Sequence, residues 1–200
     1  MNGDQLSKYL NEFPIVAAVK NEALLEQALN SDCKVIFLLY GAACTIGHIV
    51  DKVKKAGKFA FVHMDLVDGL SSKDGAVDFI KQYTSADGII STKANQIKRA
   101  KRMGLLTIQR FFAIDSKAID NIGNQLALEA VDMIEVLPGA MPKILEIIIK
   151  KVGVPLIAGG LICDKADAIS AISAGAIAIS STKPEVWLCK LDTFLFLSVS

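Results

Sequence analysis

The chain has 200 residues, 52% of them hydrophobic and 22% charged, with a formal net charge of +1, which supports one compact domain over residues 1–200 and excludes a bulk electrostatic pull towards nucleic acid or an anionic membrane. The opening MNGDQLSKYLNEF lacks the basic and apolar regions of a secretory signal, and no apolar run reaches the ~20 residues of a membrane helix, so a soluble, cytoplasmic protein with no membrane partner is expected. Cys33, Cys44, Cys163 and Cys189 are scattered without C-x-x-C spacing and form no zinc pattern with His48 or His63, so buried thiols rather than a metal site are expected.

Taken in chain order, apolar runs suited to buried strands recur at near-regular intervals. They are Pro14 to Val19, Val35 to Tyr40, Phe59 to Met64, Gly88 to Ile90, Leu105 to Gln109, Met133 to Val136, Val154 to Ala158 and Ala176 to Ile179, and each is followed by a helical pattern. Gly57, Gly104, Gly153 and Gly175 stand just past helical stretches, where a left-handed residue ends a helix. Thr45, Ser71 or Ser72, Ser116 and Asp164 stand where N-caps belong, and Pro142 suits a first turn. Continuous rather than alternating apolarity means strands covered on both faces, as parallel strands flanked by helices are. Eight such units predict an α/β fold of the closed (β/α)8 barrel type, with an open doubly wound sheet as the alternative. The fourth predicted strand is the shortest, and the apolar stretch after Trp187 is expected to close the barrel as a last helix against the first strand.

The segment VGVPLIAGGLICDKADAISAISAGAIAISST, Val152 to Thr182, reads strand, glycine loop, helix, strand, hydroxyl loop. In a parallel unit both loops leave the carboxyl ends of neighbouring strands and converge. Gly159-Gly160 would offer bare backbone N–H groups, Ser180 and Ser181 their hydroxyls, and a helical turn beginning at Pro184 further N–H groups, so the spot suits a phosphate. Barrels often build such a site from the loops after strands 7 and 8. The plainer alternative is that the two glycines only turn the chain.

Other polar residues at strand ends are Lys20, Asp65 with Asp68, Ser91-Thr92-Lys93, Arg110 and Glu135. Asp65 and Glu135 can bind hydroxyls of a small polyol or do acid and base work, and Arg110 can pair with an anion or orient a carboxylate. His63, on the same side of its strand as Asp65, can donate from below. As structural alternatives, His63 and Arg110 are buried partners of neighbouring carboxylates, and Lys20 and Lys93 are surface groups. One basic cluster, Lys93, Lys98, Arg99, Lys101 and Arg102, puts Lys98, Lys101 and Arg102 on a single helix face by i, i+3, i+4 spacing. Such a face is usually just solvated, and no aromatic residue interleaves to stack bases.

The runs FVHMDLVDGL, ADGIISTKANQIKRAKRMGLLTIQR, IEVLPGAMPKI and VPLIAGGLI resemble the glycerol uptake operon antiterminator family, regulators that respond to glycerol 3-phosphate and bind the leader of an mRNA to prevent premature termination. With FPIVAAVKNEALLEQALNSDCKVIFLL near the start, the likeness runs from Phe13 to Trp187. It implies a barrel-like fold, no catalysis, no cofactor, leader mRNA as partner, and glycerol 3-phosphate as effector against Asp65, Arg110, Glu135, Gly159, Gly160, Ser180 and Ser181. Lys98, Lys101 and Arg102 are the first candidate RNA surface, with Lys52, Lys54, Lys55 and Lys58 next, and a homo-oligomer is compatible with the sequence. Two departures stand out: the Gly41-Ala42-Ala43 loop is less polar than the family pattern, and the tail after Trp187 lacks a short polar ending. The residues alone favour another reading, a phosphate-handling barrel enzyme of isomerase, aldolase or prenyltransferase type with Asp65 and Glu135 as acid and base; the resemblance reverses that order.

Overall fold

The computed structural model describes residues 2–189 apart from residue 128. Eight strands, β1 (Ile15–Val19), β2 (Val35–Leu38), β3 (Phe59–His63), β4 (Gly88–Ser91), β5 (Leu106–Phe112), β6 (Met133–Leu137), β7 (Leu156–Gly159) and β8 (Ala178–Ser181), pair in sequence order. All pairs are parallel, and β8 returns to β1 with Ile179 opposite Ile15, so the sheet closes as the expected (β/α)8 barrel. Between the strands run α2 (Glu22–Leu29), α3 (Ile46–Lys55), α4 (Asp74–Tyr83), α5 (Ala94–Arg102), α6 (Ser116–Gln125), α7 (Pro142–Val152) and α8 (Lys165–Ser173). The short α9 (Pro184–Trp187) packs on β1 and α2, and the expected closing helix beyond it falls on residues 190–200, outside the described residues.

Two separate apolar sets hold the barrel. Outward-facing strand residues such as Ala17, Ile36, Val62, Ile89 and Ile134 pack under the helices. Inward-facing residues, among them Val16, Phe37, Phe61, Ile108, Met133 and Ile157, fill the interior, where the Phe37 and Phe61 rings meet edge-on at 5.7 Å. This two-sided burial is why the strands carry continuous apolar runs.

A helix absent from the expected set, α1 (Gly3–Glu12), belongs to the interior set. Asn2 and Gln5 form a capping box, each side chain accepting the other's backbone N–H at 2.9 Å. That start places Leu6 and Leu10 on one face. Both are fully buried against the interior residues, each contributing about 1.5–3 kcal/mol of transfer free energy. Gly3 abuts Asp132, the residue before β6, so α1 fills the amino-terminal end of the barrel.

Several local expectations shift. β4 includes Ser91 and matches β2, β7 and β8 in length, and β5 runs on through Phe112, so Arg110 lies within the strand rather than past its end. The four helix-ending glycines all have positive φ, Asp164 takes the Asp167 N–H at 2.9 Å, and Pro142 opens α7. Thr45 flanks α3, but its hydroxyl accepts from Ala42 N–H instead of capping the helix. Asp115, not Ser116, caps α6, because its carboxylate reaches Ala118 N–H at 2.7 Å. Neither Ser71 nor Ser72 is the N-cap of α4; Lys73 holds that position while Ser71 Oγ accepts its N–H. The thiols are not uniformly buried: Cys33 is, but Cys44 and Cys163 are exposed in loops and Cys189 is half-buried.

Candidate effector site

Side chains alternate across a strand, so the interior residues Phe61, Ile108, Met133 and Ala178 carry His63, Arg110, Glu135 and Ser180 inward two positions later. These four make a polar layer above the apolar filling, at the carboxyl ends of the strands. Ser181, one residue on, points outward instead. Its hydroxyl donates to Ile162 O at 2.7 Å and so ties down the loop after β7.

Glu135 is 1% exposed and Arg110 7%. Arg110 Nε donates to Glu135 Oε2 at 2.7 Å, and Ser180 Oγ donates to Oε1 at 2.6 Å, so both carboxylate oxygens are engaged. The η nitrogens of Arg110 meet no acceptor among the described residues and remain available to a ligand. Next to this chain His63 is 2% exposed, and neither ring nitrogen has a hydrogen-bond partner; the nearest charged oxygen, Asp65 Oδ2, is 3.9 Å from Nδ1. Burial lowers the His63 pKa to about 4, with Arg110 adding to the shift and Asp65 opposing it, so the ring is neutral at pH 7.

Asp65 sits in a 3₁₀ turn after β3 and does not join that chain. Its Oδ2 accepts Thr92 N–H at 2.9 Å and lies 3.3 Å from the Ser91 and Thr92 hydroxyls, while Lys93 Nζ is 2.8 Å from Oδ1. Burial pushes its pKa up, but Lys93 and Thr92 N–H outweigh this and hold it below the usual carboxylate value.

The turn that holds Asp65 occurs twice. Ser91-Thr92-Lys93 ends β4, and Ser181-Thr182-Lys183 ends β8, half a barrel away. In both, the serine Oγ accepts the lysine N–H at 3.1 Å, and the lysines have φ, ψ of −101°, 115° and −100°, 114°. At the first turn the Thr N–H and Lys ammonium clasp a carboxylate; at the second, no protein group among the described residues meets Thr182 N–H, Thr182 Oγ1 or Lys183 Nζ. Thr182 faces inward by alternation from Ser180. Thr182 belongs to the hydroxyl loop expected from sequence, whereas Lys183 is not among the expected site residues, although the repeated Ser-Thr-Lys at the fourth and eighth strand ends is visible there.

The glycine pair has its own geometry. A Cβ on Gly159 would come within 2.5 Å of Glu135 Oε1 and 2.6 Å of Ser180 Oγ, so glycine is required there by the polar chain. Gly160 has φ +71°, and a Cβ would press on Leu137 at 3.1 Å. Leu161 follows with φ 58°, a conformation costing a non-glycine residue about 1 kcal/mol or more. Any side chain at Gly160 would therefore strain the turn itself.

Of the candidate RNA residues, Lys98 and Arg102 are exposed on α5, whereas Lys101 Nζ is 2.5 Å from Asp132 Oδ1. α5 runs antiparallel to the strands, so this pair lies near the amino-terminal end of the barrel, away from the polar layer. The second basic cluster dissolves: Lys52 pairs with Glu22 and Lys54 with Asp87. Lys58 is buried and donates to the carbonyls of Ala28, Ser31 and Cys33, leaving Lys55 as the exposed cation of the four. The Gly41-Ala42-Ala43 loop pairs with Asp68 through backbone bonds of 2.8 and 2.9 Å.

The fold defines the class, a (β/α)8 barrel whose polar groups gather at the carboxyl ends of its strands, where barrels hold small molecules. Within that class, the chain belongs to the glycerol-3-phosphate responsive antiterminator family, whose pattern matches residues 15–187. It is 49% identical over 178 residues to the Escherichia coli (strain K12) protein YgcP, covering 89% of this chain and 93% of that one. The crystal structure of the glycerol uptake operon antiterminator regulatory protein from Listeria monocytogenes matches with a TM-score of 0.83 and 34% identity, over 87% of this chain and 94% of that chain. A glycerol uptake operon antiterminator-related protein from Thermotoga maritima gives 0.76 and 33%, over 88% and 98%. Deoxyribose phosphate aldolase from Aeropyrum pernix, at 15% identity and a TM-score of 0.70 over 88% and 89%, shares the fold alone. Among the described residues, no helix is long and apolar enough to cross a membrane, and no group of three or more His, Cys, Asp or Glu could hold a metal.

Proposed function

We propose that the protein is a non-catalytic sensor that takes glycerol 3-phosphate into the barrel mouth and, in response, binds the leader mRNA of glycerol-utilisation operons. The observation that carries the effector site is the repeated turn: the Ser-Thr-Lys device that grips the Asp65 carboxylate at β4 recurs at β8 with its donors unengaged by protein among the described residues. The phosphate is seated on Thr182 and Lys183 beside the Gly159-Gly160-Leu161 turn, with the Arg110 η nitrogens left for the polyol end. In this reading Ser181 shapes the turn through its hydroxyl, which accepts Lys183 N–H and donates to Ile162 O, Glu135 holds Arg110 and Ser180 in place, and Asp65 stays with the turn after β4. The enzyme alternative needs a carboxyl group poised near neutrality, and Asp65 is held low by Lys93 while Glu135 has both oxygens engaged.

Lys183→Met removes one charge-assisted bond and is expected to weaken glycerol 3-phosphate binding by about 10-fold or more in calorimetry, with circular dichroism unchanged. Unaltered affinity would place the phosphate elsewhere. No turnover of glycerol 3-phosphate is expected, with or without RNA; product formation at enzymatic rates would restore the aldolase-like alternative.

For the RNA, the exposed Lys98 and Arg102 with Lys101 remain the candidate surface. Replacing all three by Ala should weaken leader binding in filter assays and flatten the dependence of log K on log salt. Because Lys101 is already paired with Asp132, the change should come mainly from the other two, about 1.4 in slope at ~0.7 per single-strand phosphate contact. An unchanged slope would move the RNA to another face. By reciprocity, glycerol 3-phosphate should bind more tightly when leader RNA is present.

A further inference from the structure

A buried side chain with two unpartnered ring nitrogens is rare in a folded protein, because each unmet polar group costs free energy that a protein or ligand partner normally offsets. His63 is such a residue, held in the polar layer between Asp65 and Arg110 with Phe61 below it on the strand and Ile90 opposite on β4. Its surroundings are polar but balanced in charge: Asp65 is paired with Lys93, and Arg110 with Glu135. Such a place does not favour a second anion. It favours a group that donates and accepts at once, and a hydroxyl matches a neutral imidazole, which offers one N–H and one lone pair. We propose that His63 is the residue that reads the hydroxyl groups of the effector, making the site selective for a phosphorylated polyol over a plain phosphate monoester. This rests on the phosphate seat at Thr182 and Lys183. The phosphate would fix one end of the molecule and His63, with the free η nitrogens of Arg110, would engage the diol end.

The test compares three ligands, glycerol 3-phosphate, n-propyl phosphate and inorganic phosphate, on wild type and His63→Phe by calorimetry. Phenylalanine keeps a planar ring and removes both nitrogens. Wild type should prefer glycerol 3-phosphate to n-propyl phosphate by about tenfold or more, the value of one or two hydrogen bonds in a desolvated site. His63→Phe should erase that preference, leave inorganic phosphate binding within about twofold, and melt no lower than wild type when unliganded, since no protein hydrogen bond is lost. His63→Gln, which can still donate and accept, should restore part of the preference. If ring packing fails in the phenylalanine variant, His63→Leu with an unchanged circular dichroism spectrum carries the same comparison. Equal binding of the two esters by wild type, or an undiminished preference in the apolar variant, overturns the assignment and leaves a water as the partner of His63. Lys183→Met separates the seat from the reader, since it should weaken all three ligands while the ratio of the two esters persists. Failure of the seat is thus read from inorganic phosphate, and failure of the reader from that ratio.

Discussion

Glu135→Ala is expected to lower stability by about 3–5 kcal/mol, the cost typical of stranding one member of a buried ion pair. Arg110, 7% exposed, would lose the acceptor held 2.7 Å from Nε, and Ser180 would lose its acceptor at 2.6 Å. The loss of volume also opens space beside Gly159, where a Cβ would otherwise meet Oε1. Urea unfolding followed by circular dichroism should show the midpoint falling with little change in slope. The double variant Arg110→Met with Glu135→Leu removes both charges together and should recover much of the loss, since an apolar pair of similar volume is often as stable as a buried ion pair. If the single and double variants are equally destabilised, the pair contributes through shape rather than charge.

Acid should weaken the fold in a window set by His63. The imidazole, with an ordinary pKa of 6.5, is brought down to about 4 in the folded protein, because burial disfavours the cation and Arg110 repels it. Between these values the unfolded chain binds a proton that the folded protein refuses. Stability is therefore complete above pH 6.5 and falls as the pH drops towards 4, by about 3 kcal/mol in all at 1.36 kcal/mol per pH unit. Asp65, whose pKa is held below the ordinary 3.8 of an aspartate, contributes stability that is lost only at more acid pH, so the two groups separate. His63→Phe should flatten the curve between pH 6.5 and 4 while keeping the steeper loss below it. Melting temperatures taken at half-unit pH steps measure this directly; an unchanged slope in the variant would assign the window to another group.

The barrel was legible because its signal is repeated. Continuous apolar strands, glycines past each helix and eight units leave little choice of architecture, and an error at one unit, such as the short fourth strand, is corrected by its neighbours. α1 was not read, although Asn2, Gln5, Leu6 and Leu10 carry a capping box and one apolar face; its role depends on filling a space that exists only once eight distant strands have closed. The polar residues divide similarly. Arg110, Glu135 and Ser180 were found from their positions at strand ends, and they meet. Asp65 was found too, but that its carboxylate is gripped by Ser91, Thr92 and Lys93 is a long-range contact that no local pattern announces. Thr182 lies in the hydroxyl loop read from sequence, but Lys183 stands out only when one strand end is compared with another half a barrel away. Lys52, Lys54 and Lys58 show the reverse failure, since a charge run in sequence is dispersed by separate tertiary partners.

With Leu6 and Leu10 wedged into its amino-terminal end, the barrel is a cup rather than a tube. A solute in the polar layer exchanges with solvent across the rim alone. A macromolecule lying over the rim would therefore prolong the residence of a small molecule inside without altering one contact to it, slowing its escape as much as its entry. One lying against the base, where α1 abuts Asp132 and Asp132 holds Lys101, leaves the rim clear and can influence the occupant only through the packed column of side chains between them. Exchange rates of a small molecule bound there, measured with and without a partner, thus report which end of the cup that partner occupies.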